Sequence, residues 1–105
     1  MRAVVLGDEH TVYTYRLLGF EGRVVGEGEN ILSIIKELSF EEGVAAVLVT
    51  SDLADKVRED FEKMRMKMRK PMLIEIPSLK SVKFREVNYL AILRSVFRYL
   101  SQHSD

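Results

Sequence analysis

The chain is 105 residues long, 47% apolar and 30% charged, values that fit one soluble folded domain rather than a disordered, fibrous or membrane-embedded chain. It contains no cysteine, which excludes disulfides and thiolate metal centres and fits a reducing compartment. The net charge is zero, yet residues 1–55 hold ten acidic and four basic side chains and residues 56–105 hold six acidic and twelve basic, balances of −6 and +6. Such a division can orient a protein against charged partners, and the solvated faces of helices would give the same count.

The first element is the apolar run "AVVLG" (residues 3–7), expected for a strand buried on both faces. The chain reaches this strand almost at once, so no signal peptide is expected, and no apolar run approaches the roughly 20 residues of a membrane span. "HTVYTYRLLGF" follows, with Val12, Tyr15 and Leu18 spaced for one helix face and Gly19 placed to end the helix. "RVVG" (residues 23–26) reads as a second short strand. In "ENILSIIKELSF", Ile31, Ile34, Ile35 and Leu38 form one stripe and Asn30 is placed as the N-cap.

"VAAVLVT" (residues 44–50) is the clearest strand. Thr50 or Ser51 caps the next helix, in which Leu53, Val57, Phe61, Met64 and Met68 recur at helical spacing. Val47 is expected in the central strand, with Ile34 and Phe61 on helices covering its two faces. "MLIEIP" (residues 72–77) is a fourth strand confined by Pro71 and Pro77. A basic stretch, "SLKSVKFRE", leads into a last helix over residues 87–102.

Strands too short and too widely spaced for hairpins imply right-handed crossovers, hence a parallel sheet with helices on both faces. The expected fold is α/β: a flavodoxin-like three-layer sandwich on a four-stranded parallel sheet of order 2-1-3-4. The expected organisation is an α/β domain over 1–78, a connector over 79–86 and a semi-detached C-terminal amphipathic helix over 87–105. A chain ending at Ser78 is expected to stay folded.

In such a sheet, ligands bind beyond the carboxyl ends of the strands, near the switch between strands 1 and 3. That edge offers Asp8, Glu9 and His10 after strand 1, Glu27 and Glu29 after strand 2, and Thr50, Ser51 and Asp52 after strand 3. Receiver domains share this architecture, with an acidic pair after strand 1 and a phosphoacceptor aspartate at the end of strand 3. Asp8 and Glu9 match the pair. Strand 3, however, ends in Val49-Thr50-Ser51, and strand 4 ends in Glu75-Ile76-Pro77 where a lysine would be needed. The nucleophile and the cation are both missing. "GEGEN" (residues 26–30) lacks the third glycine of a dinucleotide loop, and its glutamates oppose a pyrophosphate. His10 and His103 form no ligand-spaced pair, and Ser33, Ser39 and Ser51 lack a glycine-flanked elbow. No catalytic, cofactor-binding or metal-ligating residue is assigned. Asp8 and Glu9 read as anions favoured at a helix N-terminus.

The last helix, "VNYLAILRSVFRYLSQH", is apolar around half its circumference, through Tyr89, Leu90, Ile92, Leu93, Val96, Phe97, Tyr99 and Leu100. A helix on one sheet face needs a stripe of about 100°. Either the surplus is semi-exposed beside the helix's own sheet, or it docks into a partner. On the second reading Tyr89, Leu90, Ile92, Leu93, Val96, Phe97 and Leu100 are the contact residues. The basic run over 63–70 carries methionines rather than stacking aromatics, which argues against nucleic acid as the partner.

Taken in order, "VVLGDEHTVYTYRLLGF", "EGVAAVLVTSDLADKVRED" and "PMLIEIPS" resemble one family, the F subunits of the archaeal and bacterial A/V-type rotary ATPases. The resemblance covers residues 2–78 and extends to the last helix in placement and character. The chain departs from the family after the E-I-P strand, where a glycine-rich segment is common and Ser78-Leu79-Lys80-Ser81 stands instead. The resemblance implies a non-catalytic central-stalk component without a cofactor, turning with the coiled-coil D subunit inside the A/B catalytic head. It further implies a C-terminal helix that modulates ATP hydrolysis or synthesis. The protein would be cytoplasmic, peripheral to the membrane within a membrane-bound complex and without direct insertion. Two other classes stay open: a degenerate receiver-like signalling module, and a small metal-dependent enzyme using Asp8 and Glu9.

Overall fold

The four apolar runs lie side by side and point the same way. The computed structural model describes residues 2–79 and 89–102, for 89–93 the backbone alone. The strands are β1 (Arg2–Gly7), β2 (Glu21–Val24), β3 (Val44–Thr50) and β4 (Met72–Ile76). They form one parallel sheet in the order β2-β1-β3-β4, with Val4 beside Val47 and Val47 beside Leu73. The helices are α1 (Glu9–Leu17), α2 (Ile31–Ser39), α3 (Ser51–Lys56), α4 (Arg58–Lys67) and α5 (Tyr89–Gln102). The fold class and strand order are those expected from the sequence.

The period-2 alternation of a strand buried on both faces divides the core in two. Val44, Val47 and Val49 of β3 join one cluster with Ile31, Ile34, Ile35 and Leu38 of α2, Leu53 and Ala54 of α3 and Phe61 of α4. Ala46 and Leu48 join the other, with Val12 and Tyr15 of α1 and Val96 and Leu100 of α5. Ile34 and Phe61 therefore share a face, which corrects their expected placement on opposite faces. The cause is chain direction. The first crossover steps from β1 to β2, and the next two step the other way, from β2 over β1 to β3 and on to β4. Right-handed crossovers then put α1 on one side and α2, α3 and α4 on the other.

Two boundaries differ from expectation. β2 covers 21–24 rather than 23–26. It is an edge strand with three of its four residues exposed, so apolar spacing does not fix its limits. What fixes them is pairing with β1, from Val4 beside Glu21 to Gly7 beside Val24. Gly22 is required there, since a Cβ would come within 2.6 Å of Val12 Cγ1 on the overlying α1. The expected single helix after β3 is broken at Val57, whose φ of −134° and ψ of 38° are not helical. Its amide bonds Ala54 O, three residues back, and Phe61 N resumes the helical pattern to Val57 O at 2.8 Å. The apolar period survives because both pieces face the same cluster.

Helix ends follow local chemistry. Asn30 Oδ1 accepts from Leu32 N at 2.9 Å, the N-cap expected of it. α1 closes at Gly19 (φ +96°), with Gly19 N bonded to Arg16 O and Phe20 N to Tyr15 O, the paired bonds of a Schellman turn.

Candidate functional site

The carboxyl edge of the sheet gathers the residues singled out in the sequence, and Asp8, Glu29 and Ser51 are held there by partners inside the chain, whereas Thr50 Oγ1 is buried without a hydrogen-bond partner among the described residues. Asp8 is the N-cap of α1. Its Oδ2 accepts from Thr11 N at 3.0 Å, and its Oδ1 accepts from Thr11 Oγ1 at 2.7 Å and from Ser78 Oγ at 2.7 Å. Thr11, fully buried, accepts in turn from Leu79 N at 2.9 Å. Partial burial pushes the Asp8 carboxyl up, but the bonds from Thr11 and Ser78 outweigh it and hold the group below its ordinary range. A carboxylate so occupied is a clasp between α1 and the segment after β4. Glu9 and His10 follow it on the exposed side of α1. His103 lies outside the described residues.

At the end of β4, Glu75 makes a two-pronged pair with Arg58, at 2.7 and 2.9 Å. Arg58 also bonds Asp55 and, at 3.0 Å, Glu62. The Arg58 guanidinium holds the Glu75 carboxyl down to about 2. Thr50 is buried at the end of β3, and Ser51 Oγ donates to Ile76 O at 3.2 Å, joining the ends of β3 and β4. Asp52 sits in the first turn of α3 rather than at the strand end. In the glycine-containing turn after β2, Glu29 folds back so that its Oε2 accepts from Gly26 N at 2.7 Å. A protein carboxylate thus holds the amide that a nucleotide phosphate would have to reach. Glu27 lies exposed beside it.

The structure therefore brings Asp8 together with Thr11, Ser78 and Leu79, and Glu75 with Arg58, but does not bring Asp8, Asp52 and Glu75 into one ligand set. Among the described residues, no three His, Asp or Glu side chains are grouped to hold a metal ion. Sequence reasoning missed Thr11, Ser78 and Arg58. The Asp8-x-x-Thr11 spacing of an N-cap could have signalled the first. Ser78 lies 70 residues from Asp8 and carries no such signal.

Of the α5 residues expected to meet a partner, Val96 and Leu100 are 7% and 6% exposed and turn into the core beside Ala46, Leu48 and Ile76. Tyr99 donates its hydroxyl to the Met72 thioether of β4. Phe97 is 42% exposed, its ring 5.2 Å from that of Phe20, which packs edge-on against Tyr15. A cavity of about 270 Å³, walled by Leu18, Phe20, Phe97 and Leu100, opens beside it. The side chains of Tyr89, Leu90, Ile92 and Leu93 lie outside the described residues. No described helix is long and apolar enough to cross a membrane.

The sequence profile of the family of ATP synthase (F/14-kDa) subunits matches residues 3–92. The F subunit of the A-type ATP synthase of Methanothermobacter thermautotrophicus is 34% identical over 87 residues, which cover 82% of this chain and 81% of that protein. With the match running from β1 into α5, the chain belongs to the family of ATP synthase (F/14-kDa) subunits.

Proposed function

We propose that this protein is a non-catalytic rotor component in the central stalk of an A/V-type ATP synthase. In this reading it binds the coiled-coil D subunit of the stalk and modulates ATP hydrolysis or synthesis through α5. The family match over residues 3–92 carries the reading. It is supported by the hydrogen bonds that tie Asp8, Glu29 and Glu75 to partners within the chain. The protein then works in the cytoplasm, peripheral to a membrane-bound complex, with the A/B catalytic head as a second contact.

The functional division follows the chain: an α/β unit over 1–78, a connector over 79–86 and the helical tail over 87–105. Phe97 is the described α5 residue best placed to meet a partner while the helix stays docked. Val96 and Leu100 become available, with Tyr89, Leu90, Ile92 and Leu93, in a conformer that lifts α5 from the sheet. Co-expression with a candidate coiled-coil stalk protein, followed by gel filtration, tests this directly. A single co-eluting peak of both chains is expected. Separate elution of two folded chains would overturn the assignment.

A further inference from the structure

The sheet face opposite α5 carries a groove that the rotor reading does not use. It runs between α2 and α4 with a volume of about 480 Å³. Its floor is Leu32, Met64 and Met68, all partly buried and continuous with the core beneath. Its rim is basic: Lys36 from α2, Lys63 and Lys67 from α4, against the single carboxylate of Asp60. Lys63 is paired with Glu59 at 3.3 Å, one turn back on the same helix. Lys36 and Lys67 enter no ion pair among the described residues. A valley between two helices can receive the side-chain ridge of a third. Methionine floors adapt to apolar side chains of different shape.

We propose that this groove docks an amphipathic helix whose apolar stripe lies on Leu32, Met64 and Met68 and whose flanks bear carboxylates facing Lys36 and Lys67. The charge of the rim selects the occupant. A helix edged by lysine meets three ammonium groups and is repelled, whereas one edged by glutamate finds two of them without a competing partner. The site lies across the sheet from Phe97, so it can be filled while α5 is engaged elsewhere.

The test uses the whole chain with methyl-labelled methionine and two synthetic helical peptides of about four turns. Both carry the same leucine stripe, one flanked by glutamates and the other by lysines. The glutamate peptide should shift the Met64 and Met68 methyl resonances, more weakly as salt is raised, and the lysine peptide should not. Lys36→Glu with Lys67→Glu, both exposed and with the folding of the variant checked by circular dichroism, should weaken the glutamate peptide about tenfold or more. Equal binding of the two peptides, no shift with either, or an unchanged affinity in the double variant would each overturn the proposal. So would self-association abolished by the double variant, which would make a second copy the occupant. These results are independent of co-elution with a coiled-coil stalk protein, so either reading can fail alone.

Discussion

Both oxygens of Asp8 accept hydrogen bonds, from the Thr11 amide and hydroxyl and from Ser78. Asp8→Ala removes an N-cap and the acceptor of a buried hydroxyl, and should cost about 1–2 kcal/mol in urea titration. A loss near zero would mean that the clasp adds nothing to the fold. Incubation with acetyl phosphate and magnesium should leave the protein's mass unchanged, because β3 ends in Thr50, followed by Ser51, rather than in a carboxylate. A gain of one phosphoryl group, lost in Asp8→Asn or Asp52→Asn, would restore the receiver reading. Glu75 predicts a pH signature. Its folded value near 2 lies below the ordinary 4.5, so its contribution is complete above about 4.5 and is lost as pH falls towards 2. Glu75→Gln should therefore be less stable than wild type at pH 7, and the gap between urea midpoints should narrow by pH 3. A gap independent of pH would remove the Arg58 pair as its source. The Asp8–Ser78 and Arg58–Glu75 couplings were invisible in the sequence because they join residues 70 and 17 positions apart, and only the assembled sheet edge brings them together.

At the scale of elements, the stripe of α2 and the apolar run of β3 were legible because each side chain answers to one neighbour layer. Ile31, Ile34, Ile35 and Leu38 are all buried, as their spacing requires. The break at Val57 was not legible, since a periodic pattern does not record one residue leaving helical dihedrals. Phe61, with no exposed surface, should still cost about 3–5 kcal/mol as Phe61→Ala. A loss under about 1 kcal/mol would mean that α4 is not packed on β3. The last helix places Val96 and Leu100 in the core cluster of one sheet face. Val96 and Leu100 lie against Leu48 and Ile76, and large buried apolar side chains contribute about 1.5–3 kcal/mol each. A chain ending at Ser78 should keep its secondary structure by circular dichroism but unfold at a lower urea midpoint. Absence of any cooperative transition would make α5 part of the folding core.

For the whole molecule, strand order and the handedness of crossovers together assign each helix that lies between two strands to a face. Ile34 and Phe61 share a face because the crossovers into β3 and into β4 step across the sheet in the same direction. With the faces assigned, the two surfaces differ in character: Phe97 with its aromatic neighbours on one side, and the lysine-rimmed groove on the other. Phe97→Asp leaves the buried Val96 and Leu100 in place, so the variant should fold normally yet weaken co-elution with a coiled-coil partner. Unchanged co-elution would remove Phe97 from that interface.

The clasp at Asp8 also has a mechanical consequence. Because Ser78 and Leu79 are bonded to the first turn of α1, Leu79 is a fixed post from which the length of chain leading to α5 is measured. Ten peptide steps separate Leu79 from Tyr89, and a fully extended chain spans roughly 3.3–3.6 Å per step, about 35 Å in all. The longest dimension of the molecule is 37 Å. A helix released from the sheet could therefore begin almost anywhere within one body length of that post without disturbing a single strand.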